Sequence, residues 1–176
     1  MDSKIMIYEP EEDSFLLSKY VRKYAQGKVL DMGTGTGIQA IAALENTEEV
    51  LAVDINEEAV EYAKKKNINA IQSDLFENVE GKFDWIIFNP PYLPKDEDEP
   101  EDSRLATTGG EKGNEILLRF LEEVKGHLNF GGKILVLVSS LTGEPEKLFK
   151  GYEYKCLETE NLFMEKISVF LLYEKV

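Results

Sequence analysis

The chain has one cysteine (Cys156), one histidine (His127) and one tryptophan (Trp85) in 176 residues. A single cysteine excludes an intrachain disulfide and suits a reducing compartment. One Cys with one His cannot build a Cys/His zinc centre, so no structural metal is expected. Long apolar runs are missing as well. None approaches the ~18 residues of a membrane span, and the opening Met1-Asp2-Ser3-Lys4 lacks a secretory pattern. A soluble, cytoplasmic chain with no membrane partner is expected. Positive charge is scarce: 20 Lys and Arg stand against 34 Asp and Glu, a formal net charge of −14. That balance opposes loose binding to phosphate backbones, whose affinity comes largely from Lys and Arg displacing counterions.

What remains is a pattern of short apolar runs alternating with amphipathic stretches, the mark of a mostly parallel α/β sheet covered by helices. Strands are expected at Lys28–Met32, Val50–Ile55, Asn69–Gln72, Phe83–Phe88, Lys133–Ser139, Tyr152–Glu158 and Lys166–Tyr173. The last two are separated by too few residues for a helical crossover and should pair antiparallel at the end of the sheet. Helices are expected at Glu11–Ala25, Ile38–Glu45, Glu57–Lys66, Gly113–Leu128 and Glu144–Lys150. Phe15, Leu16, Tyr20 and Val21 give the first its apolar face. One domain should span residues 1–176, with residues 1–27 a helical lead-in and residues 93–112 an acidic loop at the active edge. Within that loop, Lys95–Asp102 carries six acidic residues and Pro100 and is expected to be mobile.

The chemistry gathers at strand ends. Asp31-Met32-Gly33-Thr34-Gly35-Thr36-Gly37 lies between a strand and a helix, where glycines let backbone approach a ligand. Gly33 and Gly35 fit the dinucleotide fingerprint, but its third glycine would fall on Ile38. A carboxylate at Asp31 would repel a pyrophosphate, yet it suits the ammonium of an amino-acid moiety, directly or through water. Asp54, ending the next strand, can accept from both hydroxyls of a ribose, which does not separate a nicotinamide cofactor from an adenosyl sulfonium. Helix capping is the competing role there, although Asn56 is the better N-cap. Asp74 can accept from an adenine amino group, and Leu75 or Ile55 can pack on the adenine face. Asn89-Pro90-Pro91-Tyr92 follows the apolar Phe83–Phe88 run, and its two prolines hold the asparagine extended at the edge of the sheet. The Asn89 side-chain oxygen and the Pro90 carbonyl then offer two acceptors to a substrate –NH2, with Tyr92 free to stack on the planar group. The pattern points to methyl transfer from a sulfonium to nitrogen.

Together Asp31–Gly37, Asp54, Asp74 and Asn89–Tyr92 resemble the class I methyltransferase set with an amino-methylating N-P-P-Y signature. Tyr8-Glu9-Pro10-Glu11-Glu12-Asp13-Ser14-Phe15-Leu16-Leu17 resembles the opening of the HemK-type glutamine methyltransferases, in their short archaeal and eukaryotic branch. Gly109-Gly110-Glu111-Lys112-Gly113 with Ile116-Leu117 matches that family too. The resemblance runs from Tyr8 to about Ser139. It implies a Rossmann-like fold with a seven-stranded, mostly parallel sheet, an antiparallel final strand and helices on both faces. It also implies S-adenosylmethionine as cofactor, held by Ser14, Asp31, Gly33, Gly35, Asp54, Ile55, Asp74, Leu75 and Asn89, with no metal. The implied substrate is the glutamine amide in the Gly-Gly-Gln loop of a peptide chain release factor. Short-form members also look to a small zinc-binding activator subunit.

Two other readings stay open: an adenine-N6 methyltransferase of DNA or RNA, and an idle methyltransferase fold serving as a subunit. Base-modifying enzymes must grip flanking phosphates. The one basic run here, Lys64-Lys65-Lys66, ends a covering helix and is expected on the sheet edge away from the crevice, where it complements the helix dipole. His127 is expected near a helix end as a C-terminal charge or polar surface group.

Overall fold

The computed structural model describes residue 7, residues 9–95 and residues 107–175. The Asp96–Asp102 acidic run therefore lies outside the described residues. Seven strands form one sheet in the order β3-β2-β1-β4-β5-β7-β6. They are β1 (Val29–Met32), β2 (Val50–Asp54), β3 (Ala70–Gln72), β4 (Phe83–Phe88), β5 (Leu128–Ser139), β6 (Tyr152–Asn161) and β7 (Lys166–Glu174). The first five pair parallel, while β7 runs antiparallel to both β5 and β6. The antiparallel end expected from the short gap between β6 and β7 is present.

Successive side chains on a strand point to opposite faces, and the two cores divide on that period. Trp85, Ile87, Leu135 and Leu137 join one cluster with helices α1 (Glu12–Tyr24), α2 (Ile38–Leu44) and α3 (Glu57–Lys65). Ile86, Phe88, Ile134 and Val136 join the other with α4 (Glu115–Glu123) and α5 (Pro145–Leu148). Fully burying a side chain of the Leu or Phe class contributes roughly 1.5–3 kcal/mol, so this double layer holds the sheet centre rigid. No helix among the described residues is long and apolar enough to cross a membrane.

Local signals set the helix ends. Asn56 caps α3 by accepting from the Glu58 N–H at 3.0 Å, with Glu57 and Glu58 at its start and Lys64 and Lys65 at its end, as the macrodipole favours. In α1, Glu12 and Asp13 open the helix and Arg22 and Lys23 close it. Leu16, Leu17, Tyr20 and Val21 are its buried stripe, while Phe15 points largely to solvent. The helix expected at Gly113–Leu128 is shorter, because it tightens into a 3-10 turn over Val124–His127. Strand β5 starts at Leu128, earlier than the apolar run suggests, since Leu128 pairs with Phe83 ahead of a register shift. His127 ends the 3-10 turn, stacked on Phe76 with ring centroids 4.5 Å apart.

Candidate active site

The carboxyl ends of β1 to β4 open onto a cavity of about 370 Å³, within the usual size range of small-ligand sites. The chain builds outward from β1 through β2 to β3, then crosses to β4 on the other side of β1. Ligands bind at such reversals, outside the carboxyl ends of the strands.

The loop from Gly33 to Gly37 forms one wall. Gly33, Gly35 and Gly37 have φ of 66°, 52° and 85°, a region in which a Cβ costs roughly 1–2 kcal/mol. At Gly37 a Cβ would also lie 2.7 Å from Ile68 Cδ1. Asp31 holds this loop from behind. Its Oδ2 accepts from Thr34 Oγ1 at 2.7 Å and from the Ala40 N–H at 3.1 Å. Asp31 is 1% exposed and does not line the cavity; its Oδ2 scaffolds the loop, while its Oδ1 is buried without a hydrogen-bond partner among the described residues. Burial pushes its carboxyl up to about 7, against the opposing hydrogen bonds from Thr34 and Ala40.

Asp54 does stand in the wall. Its Oδ2 accepts from the Gly35 N–H at 2.8 Å and its Oδ1 from the Asn56 N–H at 2.9 Å. Each oxygen keeps capacity for a further donor. Burial holds its carboxyl above the ordinary range, opposed by the N–H groups of Asn56, Gly35 and Ile55. Ile55, Asp74 and Leu75 continue the wall. Asp74 Oδ1 lies 3.2 Å from the Arg119 guanidinium, a partner on α4 that the sequence reading did not anticipate. Leu75 adopts φ 46°, a left-handed conformation that costs an L-residue about 1 kcal/mol or more.

Asn89 follows β4 directly and lines the cavity with Ser14 and Pro91. Its Nδ2 donates to Asp13 Oδ2 at 3.0 Å. A carboxylate accepts and does not donate, so this bond fixes which way the amide points. Asn89 Oδ1 is buried without a hydrogen-bond partner among the described residues. Gln39 repeats the arrangement: Nε2 donates to the Ser14 carbonyl at 2.9 Å, while its Oε1 is buried and unpaired among the described residues. Gln39 is 3% exposed and belongs to the cavity wall.

Pro90 and Tyr92 lie off the wall. Pro90 is buried, and Tyr92 packs against the core on the α1 side of the sheet. The stacking expected of Tyr92 is thus not set up by this geometry. Burial raises its phenol well above the ordinary value, helped by the carboxylates of Asp13, Glu165, Glu11 and Glu12. The following segment clamps the signature. The Leu93 N–H donates to the Thr107 carbonyl at 2.9 Å and the Gly109 N–H to the Leu93 carbonyl at 2.9 Å. At both Gly109 and Gly113 an added Cβ would stand 2.5 Å from a signature carbonyl, Pro91 O and Tyr92 O respectively. The Gly109–Gly113 motif therefore serves close backbone packing on the signature.

Sequence reasoning missed Asp13, Gln39 and Arg119. The lysine run closes α3 as expected, but one of its side chains reaches further than foreseen: Lys66 passes over the Tyr62 ring, and its Nζ donates to the Thr36 carbonyl at 2.9 Å. The reach of the lysine stem and an acceptor left open in the glycine loop account for the difference.

A family model described as the methyltransferase small domain matches residues 10–163. The chain belongs to that family. Within it the chain stands among the protein N5-glutamine methyltransferases, being 49% identical to a Methanocaldococcus jannaschii protein provisionally named for that activity. That alignment takes in 82% of this chain and 78% of the relative. A release factor glutamine methyltransferase of Streptococcus pneumoniae is 31% identical over 90% of this chain, which spans 63% of its length. Among solved structures, the E. cuniculi Mtq2–Trm112 complex, responsible for methylating the eRF1 termination factor, matches with a TM-score of 0.78 and 26% identity. The match covers 96% of this methyltransferase and 98% of that chain.

Proposed function

We propose that this methyltransferase transfers a methyl group from S-adenosylmethionine to the side-chain nitrogen of a glutamine, in the Gly-Gly-Gln loop of a peptide chain release factor in the cytoplasm. The observation that carries the reading is Asn89: its Nδ2 is held by Asp13 and its Oδ1 is buried and unpaired at the cavity. A buried acceptor without a donor costs roughly 1–3 kcal/mol. A substrate –NH2 docked there removes that cost.

The residues present fit the cofactor. The open lone pairs of Asp54 match ribose hydroxyls, Ile55 and Leu75 offer apolar contact to a base, and the orphaned Gln39 Oε1 matches an ammonium donor. When bound, S-adenosylmethionine supplies an electrophilic methyl on a sulfonium. Asn89 Oδ1 would accept one hydrogen of the substrate amide, and the other is proposed for the backbone carbonyl of Pro90, whose buried ring lies off the wall but whose chain neighbours Asn89 and Pro91 both line it. Held this way, the amide nitrogen would be placed to receive the methyl as the S–CH3 bond breaks, leaving S-adenosylhomocysteine, with the nitrogen's extra proton passing to water. Such positioning can supply roughly 7–11 kcal/mol of a barrier, which matters for an amide whose lone pair is delocalised.

An adenine amino group offers the same two hydrogens. The net charge of −14 and the carboxylates around Tyr92 disfavour the phosphates that would come with it. Similarity to the Mtq2 chain of a two-protein complex supports a small partner subunit, for which the zinc-binding activator class is the proposal. The test is labelled methyl transfer to a recombinant release factor, wild type against Gln→Ala in its Gly-Gly-Gln loop. Label should appear on the wild type alone; equal labelling of both refutes the substrate.

A further inference from the structure

The β6–β7 hairpin ends in a tip held in place by four hydrogen bonds. The Leu162 N–H donates to the Glu165 carbonyl at 2.8 Å, and the Ser140 N–H to the Lys166 carbonyl at 2.8 Å. The Lys166 N–H donates to Ser140 Oγ at 3.0 Å, and Ser139 Oγ bonds the Glu165 carboxylate. This fixed tip nevertheless carries Phe163 and Met164, 98% and 79% exposed. Leu141, on the loop it is bonded to, is 44% exposed. Isolated surface hydrophobics need no explanation, but two adjacent large apolar side chains held almost wholly in solvent on a hydrogen-bonded turn mark a contact surface.

Its location narrows the partner. Val136 of β5 is opposite Phe88, the residue before Asn89, and Ser139 is opposite Ile167. The tip therefore stands on the same sheet edge as Asn89. The carboxylates on this edge are placed by their neighbours: Glu165 of the tip bonds Ser139, and Glu11 and Glu12 precede Asp13, whose carboxylate holds Asn89, while Lys166 is the cation next to Glu165. The apolar tip gives area, and the carboxylates select for cations.

We propose that the Phe163–Met164 tip and the Glu11, Glu12 and Glu165 carboxylates form the docking rim for the protein substrate, and that they receive a basic, partly apolar segment flanking the target glutamine. This rests on the function proposed above and gives it a recognition surface outside the cavity. Opposite charge across such a rim speeds and orients encounter, in a salt-dependent manner.

The experiment compares Phe163→Ser/Met164→Ser and Glu11→Lys/Glu12→Lys double variants with wild type, with any activator subunit present throughout. Steady-state methyl transfer is measured to the intact release factor and to a Gly-Gly-Gln tripeptide amide, and cofactor affinity by calorimetry. Each double variant should raise KM for the intact factor about tenfold, equivalent to about 1.4 kcal/mol. The tripeptide rate and cofactor affinity should hold, and the lysine variant should also reverse the salt dependence. An unchanged KM for the factor in both variants overturns the rim. So does a loss of activator binding that leaves factor KM intact, since the tip would then be a subunit contact. A wild-type enzyme that binds cofactor but leaves the factor unlabelled refutes the proposed function itself, and the rim with it.

Discussion

Replacing Asp13 by alanine tests the hydrogen bond that orients Asn89. Asp13 is 3% exposed in the first turn of α1, 76 residues from its partner in sequence. A hydrogen bond to a charged group contributes roughly 1.5–3 kcal/mol. Here that energy separates two amide orientations, one presenting Oδ1 to the substrate and one presenting Nδ2. Without Asp13 the orientation that repels a substrate –NH2 becomes accessible. With a factor of ten per 1.36 kcal/mol, Asp13→Ala should lower kcat roughly 10- to 150-fold. Asp13→Asn keeps an acceptor of the same shape and should fall between alanine and wild type. The assay is single-turnover transfer of labelled methyl to the release factor, with cofactor affinity followed by calorimetry. A merely structural Asp13 would move cofactor affinity and Tm together with rate. The positioning role predicts lost kcat with cofactor Kd within about twofold. A kcat within twofold of wild type in a folded Asp13→Ala protein refutes the argument.

Asn89→Ala should leave cofactor affinity roughly intact and abolish most turnover; normal turnover in the labelled assay would sink the role given to Asn89. The raised carboxyl of Asp31, at about 7 against 3.8 unfolded, means that the folded state binds more protons between those pH values. Stability should therefore fall as pH rises from about 4 to 7, by at most about 4 kcal/mol. Thermal unfolding of Asp31→Asn should lack that slope, and parallel pH profiles for the two proteins would refute it. Gly37→Ala places a Cβ 2.7 Å from Ile68 at φ 85°. It should cost about 1–2 kcal/mol, seen as a Tm drop of about 2–8 °C in calorimetry, and an unchanged Tm would contradict the strained geometry.

Much of the fold was legible because burial and period agree. Strand β4 runs from Phe83 to Phe88 as read, bounded by Gly81 before it and Pro90 after it. Asn56 was legible as the cap of α3, since an Asn followed by two Glu has few competing roles. The start of β5 was hidden because Gly131 and Gly132 interrupt its apolar pattern, while pairing with Phe83 is a tertiary fact. The cavity was legible as strand ends bearing Asp54, Asp74 and Asn89. Asp13 was not, although it stood inside a segment noted for its family likeness. An acid in the first turn of a helix already has a sufficient reason to be there, and only folding brings it to Asn89. Gln39 was silent for a similar cause: amide orphans are visible only once burial is known.

The anchoring of α1 bears on when this enzyme can begin to work. Lys19 Nζ and the Tyr20 hydroxyl both bond the Glu158 carboxylate, at 2.6 Å and 2.7 Å, across 139 and 138 residues of chain. The helix that aligns Asn89 is thus secured partly by a strand made 139 residues after it. Contacts so distant in sequence form late, after the loop entropy between them has been overcome. Activity should therefore await β6 and β7, with the nascent protein holding its signature asparagine unaligned until that hairpin has been made.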